Sequence, residues 1–392
     1  MEFSIYNSKI IYKCFMKLRL YQFFSMTTMK HIMAIVLASL FSGYKGKTVD
    51  FEKYSTCHRT SIAHFLNHGK WNDELLESVL RTAVVSCIYE ESKRTGSPVF
   101  CMIDDTISSK TKPSSRAKHP IEDAYFHQSH LKKKQDYGHQ AVAVMLSCNG
   151  LVLNYAVILY DKSKSKIQIV QDIAEQLPEA PNISYLLCDC WYTSQKVMDA
   201  FLSKGFYTIG ALKTNRIFYP NETRWKINRY AVRINRKLET RLVTVGKRQY
   251  YIHVQECRLN GIENAVVILS FPKGAFGNLK ALRCFICTDV SLDVETILSM
   301  YTQRWPIEVF FRESKNKLAL NGYQIRSSKG IRRYWLLMSL SHFICCTGTD
   351  MQVSFSEGYH VLQNEIKQEQ ITYIYQCGMR GDSLEELLAL AG

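Results

Sequence analysis

Two short apolar runs, PVFCMID at 98–104 and ISYLLCD at 183–189, each end in an aspartate. A continuous apolar run of this length reads as a strand buried on both faces, inside a sheet covered by helices. HQAVAVMLSC and LVLNYAVILY lie between them, joined by Asn149-Gly150, a tight-hairpin dipeptide. SKIQIVQDIAEQL and SQKVMDAFLSKG carry helical spacing, the second closed by Gly205, and FYTIGAL reads as a fifth strand. The resulting order, β-β-β-α-β-α-β, predicts three antiparallel strands followed by two crossover-connected parallel ones.

Such a five-stranded mixed sheet with flanking helices is an α/β (α+β) arrangement with the ribonuclease-H-like layout. In that layout the first and fourth strands lie side by side, and here those are the two that end in acids. Around this core the chain divides into five stretches. Residues 1–95 read as helical, 96–215 as the first part of the core, and 216–290 as a β-rich basic insertion. Residues 291–348 read as the helical part of the core, and 349–392 as a C-terminal tail without an interpretable pattern. In the first stretch Thr60 or Ser61 is the expected cap of TSIAHFLN, and Asn72 or Asp73 that of NDELLESVLRTAVVSCIYEESKR. The two helices around His68–Trp71 read equally as a DNA-end-binding helix-turn-helix or as a small structural bundle. Met26 and Met29 are alternative starts.

Charge points to the partner. The chain has 50 Lys and Arg against 35 Asp and Glu, a formal net charge of +15, which fits a polyanion and most commonly nucleic acid. Residues 216–248 concentrate ten Lys and Arg against two acids, with Trp225, Tyr230, Tyr250 and Tyr251 interleaved or adjacent. Cations for phosphates beside flat rings for bases form the composition of a nucleic-acid groove, and Arg224, Arg229 and Arg233 are its candidate DNA contacts. Thirteen scattered cysteines fit a reducing cytosol, and the lone CxxC of Cys284 and Cys287 reads as strand, not as a zinc ligand set. The stretch 31–44 is too short and interrupted to span a bilayer, and no ordered signal-peptide layout precedes it. A cytoplasmic, nucleoid-associated protein is expected, with no membrane partner.

The chemistry rests on three acidic sites: Asp104 with Asp105, Asp189, and Glu308 in YTQRWPIEVFFRESK. Two aspartates on neighbouring strands and a glutamate on an adjacent helix offer oxygen ligands suited to Mg²⁺ or Mn²⁺. Two such ions activate a nucleophile and stabilise a leaving oxygen in phosphoryl transfer. On one continuous helix Tyr301, Arg304, Glu308 and Lys315 fall at about 0°, 300°, 340° and 320°, one narrow face. Pro306 breaks or kinks that helix unless it sits in a first turn.

The pattern Y-x2-R-x3-E-x6-K over Tyr301–Lys315 resembles the signature of the cut-and-paste DDE transposases of bacterial insertion sequences. The IDDT strand and the CDCWYTS…GFYTIGALKTNR block resemble that family's first and second catalytic regions. The resemblance covers roughly residues 95–345. It implies Asp104, Asp189 and Glu308 as ligands for two Mg²⁺ or Mn²⁺ ions, with Asp105 as the alternative to Asp104. It implies Tyr301, Arg304 and Lys315 as contacts to terminal DNA, and Lys213, Asn215 and Arg216 as a further DNA-facing segment. Trp191 and Tyr192 are expected in the core, with stacking on a displaced base as the alternative. The implied activity is metal-dependent cleavage and strand transfer at the terminal inverted repeats, through a hairpin end intermediate, by a homodimer. Rival readings are a non-transposing nuclease on the same fold and a decayed or domesticated DNA-binding protein. A glycosidase-like carboxylate pair is more distant, since it leaves the basic stretch without a purpose.

Overall fold

The computed structural model describes residues 8–41, 43–52, 57–118, 120–129, 133–349 and 352–391. Its centre is the anticipated sheet. The strands are β1 (Phe100–Ser109), β2 (Tyr125–Ser129), β3 (Lys134–Cys148), β4 (Leu151–Leu159), β5 (Ser184–Cys188) and β6 (Phe206–Leu212). β3 pairs antiparallel with β1 along its length, and with β4 through the hairpin at Asn149-Gly150. β1 and β5 run parallel, from Phe100 opposite Tyr185 to Ile103 opposite Cys188, and β6 continues parallel to β5. The strands carry the burial their composition requires: every residue of β5 is buried, as are Cys101, Met102 and Ile103 of β1.

Three features of the sheet and the basic stretch depart from expectation. β1 does not end at its acids but runs to Ser109, because 105–109 stay paired to β3 after β5 has stopped. β2 is an extra strand on the far end of β3. In the basic stretch, 227–239 is not strand but two short helices, Ile227–Ala231 and Arg236–Glu239. The polar–apolar alternation there is misleading. Ile227, Ala231 and Ile234 are the buried set, at spacings of four and three, and the Asn235 side chain caps the second helix at Lys237 N, 3.0 Å.

The remaining strands are β7 (Ile217–Phe218), β8 (Trp225–Lys226), β9 (Arg241–Val245), β10 (Arg248–Leu259), β11 (Ile262–Pro272) and β12 (Arg283–Cys287). They extend the same sheet, since β12 pairs antiparallel with β6 and is followed by β11 and β10. Cys284 and Cys287 are buried in β12, as a strand CxxC should be.

The helix Met26–Leu40 is buried from Ile32 to Leu40, and Ile11, Phe15 and Leu20 upstream are fully buried. His58, not Thr60 or Ser61, caps the helix Arg59–Asn67, its Nδ1 accepting from Thr60 N. Asn72 caps the helix Asp73–Thr95, its Oδ1 accepting from Leu75 N at 2.9 Å. The turn between these helices is bolted down by Arg333 of the helix Ser328–Thr347. This guanidinium, 1 % exposed, donates to the carbonyls of Phe65, Leu66, Gly69 and Trp71 and pairs with Asp73. The segment read as a patternless tail holds two helices, Phe355–Met379 and Leu384–Ala391. Among the described residues no helix is long and apolar enough to cross a membrane.

Candidate active site

β1 and β5 are in parallel register up to Ile103 and Cys188, so the next residues, Asp104 and Asp189, emerge side by side where the β5 pairing stops. Successive side chains leave a strand on opposite faces, and Asp104 and Asp105 accordingly find different partners. Both oxygens of Asp105 are engaged: one accepts from Gln140 Nε2 at 2.5 Å, the other from Lys166 Nζ and Tyr192 OH, both at 2.8 Å. Asp104 accepts from the Asp105 backbone N–H at 2.8 Å and from Arg304 Nη1 at 3.0 Å. Burial pushes the Asp104 carboxyl up to about 6; Arg304 pulls the other way, and the negative neighbours Asp189 and Asp105 add to the rise.

Tyr301, Arg304, Glu308 and Lys315 do not share one helix. The first helix, Val294–Thr302, stops, the chain turns at Gln303 and Arg304, and the helix Trp305–Lys317 begins with Pro306 in its first turn. Continuing through that point would press the proline ring onto the carbonyl of Thr302. The side chains still meet. Arg304 Nη2 donates to Glu308 one turn on, and the guanidinium lies 5.9 Å from the Tyr301 ring centre. Burial raises the Tyr301 hydroxyl to about 12, and its ring packs against Phe285 of β12. Lys315 Nζ donates to Thr106 Oγ1 at 2.7 Å, tying the far end of this helix to β1.

Trp191 and Tyr192 separate. Tyr192 is fully buried with its hydroxyl on Asp105, as a core residue should be. Trp191 is 54 % exposed, contrary to the packing expectation, and its backbone N–H donates to Asp189 Oδ1 at 2.9 Å. Lys213 and Lys166 stand over that ring, with ammonium groups 4.9 and 5.3 Å from its centre. Asn215 is exposed and Arg216 half-buried in the same turn after β6. Arg224, Arg229 and Arg233 are exposed farther along; Arg233 stacks over Trp225 at 4.2 Å, and none of the three bonds to Asp104, Asp189 or Glu308. Lys166 and Gln140 had no mark in the sequence; their link to Asp105 exists only once the strands pair.

Among the described residues, no three His, Cys, Asp or Glu side chains stand together as a ready ligand set. Between Asp104 and Glu308 lies the Arg304 guanidinium. The donors fit a hard divalent cation in kind, being carboxylate oxygens, two of which already hold a cation between them. A family model described as "Transposase DDE domain" matches residues 95–344, more than half of the chain. No curated protein matches the chain.

Proposed function

This chain belongs to the transposase DDE-domain family, and from that premise we propose that it cleaves and joins DNA at the ends of its own insertion sequence. The observation that carries the reading is the placement of Asp104 beside Asp189, with Arg304 brought against Asp104 from the helical segment and bridging it to Glu308. Asp104, Asp189 and Glu308 are the ligands we assign to a pair of Mg²⁺ or Mn²⁺ ions. When bound, the ions supply Lewis-acid activation of the attacking oxygen and charge neutralisation for the leaving one. Asp105 is not a ligand in this reading, because its oxygens already serve Gln140, Lys166 and Tyr192.

The protein's own side chains bind and orient the DNA. Arg304 and Lys315 flank Glu308 and hold phosphates near the scissile bond, with Tyr301 beside them. Lys213, Asn215 and Arg216 line the approach past Trp191, and Arg224, Arg229 and Arg233 hold DNA farther from the cut. Water attack frees a 3′ end, which attacks the opposite strand and displaces the flanking DNA to close a hairpin; a second water reopens the hairpin, and the 3′ end then joins target DNA by displacing a target-strand 3′-oxygen. Two copies act together, one on each terminal inverted repeat.

The test is a labelled linear duplex carrying the DNA that flanks this reading frame, incubated with Mg²⁺ or Mn²⁺. Wild type should nick at the element boundary. Glu308→Gln should lose nicking by at least about a hundredfold, as expected for loss of a metal ligand or its support, while binding the duplex. Binding without cleavage by the wild type under both metals would favour a non-catalytic DNA-binding protein.

A further inference from the structure

The residue between the carboxylates is itself a cation. Arg304 spans Asp104 Oδ2, at 3.0 Å, and Glu308 Oε1, and its side chain is only 16 % exposed. A guanidinium presents donors in a planar fork, so one side chain satisfies both acids at once. Lys166 is engaged with Asp105, and Lys315 reaches Thr106. Among the described residues Arg304 is thus the cation in contact with Asp104.

We propose that Arg304 is a latch that makes tight metal binding conditional on DNA. The inference rests on the assignment of Asp104 and Glu308 as ligands. A divalent ion and the guanidinium compete for the same two oxygens, and two cations a few ångströms apart in a half-buried site repel strongly. The free protein therefore holds metal weakly. Phosphate is the other anion that a guanidinium fork fits, and a chain of net charge +15 gathers DNA readily. When a DNA phosphate takes over the guanidinium, the two carboxylates are left uncompensated and draw in metal. By linkage the effect is reciprocal: metal tightens DNA by the same factor. The consequence is a strand-cutting centre that assembles on bound DNA and stays latched in the free protein.

The experiment is Mn²⁺ titration of the full chain, followed by the paramagnetic resonance of free Mn²⁺, for wild type, Arg304→Gln and Arg304→Gln/Glu308→Gln. Arg304→Gln should bind Mn²⁺ at least about tenfold tighter than wild type without DNA, within the usual range of site coupling. The double variant should lose that gain, which places the ion at Glu308. Arg304→Lys, which keeps the charge but cannot span both acids, should fall between and covers the case in which the glutamine variant does not fold. Adding a pre-cut duplex of the flanking DNA with a 3′-dideoxy end, which has no hydroxyl to react, should tighten Mn²⁺ about tenfold for wild type and far less for Arg304→Gln. Equal or weaker Mn²⁺ binding by folded Arg304→Gln overturns the latch and leaves the metal assignment standing. No Mn²⁺ binding by any form, with or without the duplex, overturns both.

Discussion

Replacing either of two adjacent aspartates by asparagine should change stability in opposite directions. Asp104 is half-buried beside Asp189 and Asp105, and its carboxyl is raised to about 6 from an ordinary 3.8. A shift of that size, at about 1.4 kcal/mol per unit, makes ionised Asp104 a cost of roughly 3 kcal/mol to the metal-free fold. The folded carboxyl holds its proton more tightly than the unfolded one. The cost is therefore absent below about pH 4, grows between 4 and 6, and is complete above 6. Asparagine cannot ionise, so Asp104→Asn should stabilise the protein by about 2–3 kcal/mol at pH 8 and about half as much at pH 5. Asp105→Asn removes the charge that holds Lys166, 14 % exposed, and disturbs the bonds from Gln140 and Tyr192. It should cost about 2–4 kcal/mol, the range for stranding one member of a partly buried pair. Urea unfolding of the three proteins in chelator at pH 5, 6, 7 and 8 checks both. An Asp104→Asn variant that is no more stable than wild type at pH 8, or whose gain does not depend on pH, would refute the argument. Arg304 would then compensate Asp104 fully.

Trp191 should contribute to DNA affinity through its exposed ring. Trp191→Ala should weaken binding of single-stranded or frayed ends by about 1–3 kcal/mol and Trp191→Phe by much less, read by fluorescence anisotropy, while the melting temperature hardly moves. Arg333→Met should destabilise by about 3 kcal/mol or more, because four carbonyls and Asp73 lose their shared donor; thermal unfolding measures it.

The core was legible because its signals are local and strong. Buried parallel strands need unbroken apolar runs, and the hairpin needs Asn149-Gly150; both stand in the chain as written. The elements that escaped depend on distant partners or on a weaker local sign. β2 is a strand only because β3 is long enough to offer it an edge. The helix Phe355–Met379 has one local sign, the Ser354 and Glu357 capping box, standing before a segment of little periodicity. In 227–239 the alternation of arginines with apolar residues imitates a strand, and only the packing of Ile227 and Ala231, one turn apart, reveals the helical face.

The site was harder to read than the fold because its decisive facts are relations between segments. In IDDT, Asp104 directly follows the apolar run and is the favoured acid, but Asp105 beside it is the same residue type, and a shift of one residue exchanges their faces. The register of β1 on β5 fixes which of them meets the helix carrying Glu308. The long β3 and the helix beginning at Lys166 then supply partners for the other. The Tyr301–Lys315 spacing suggested one continuous helical stripe, and Pro306 forbids it. Arg304 nevertheless reaches both acids, because the break places it in the turn before the second helix, one turn from Glu308 and against β1. The spacing therefore encodes a turn that aims a cation at a pair of carboxylates, and a helical wheel cannot show that arrangement.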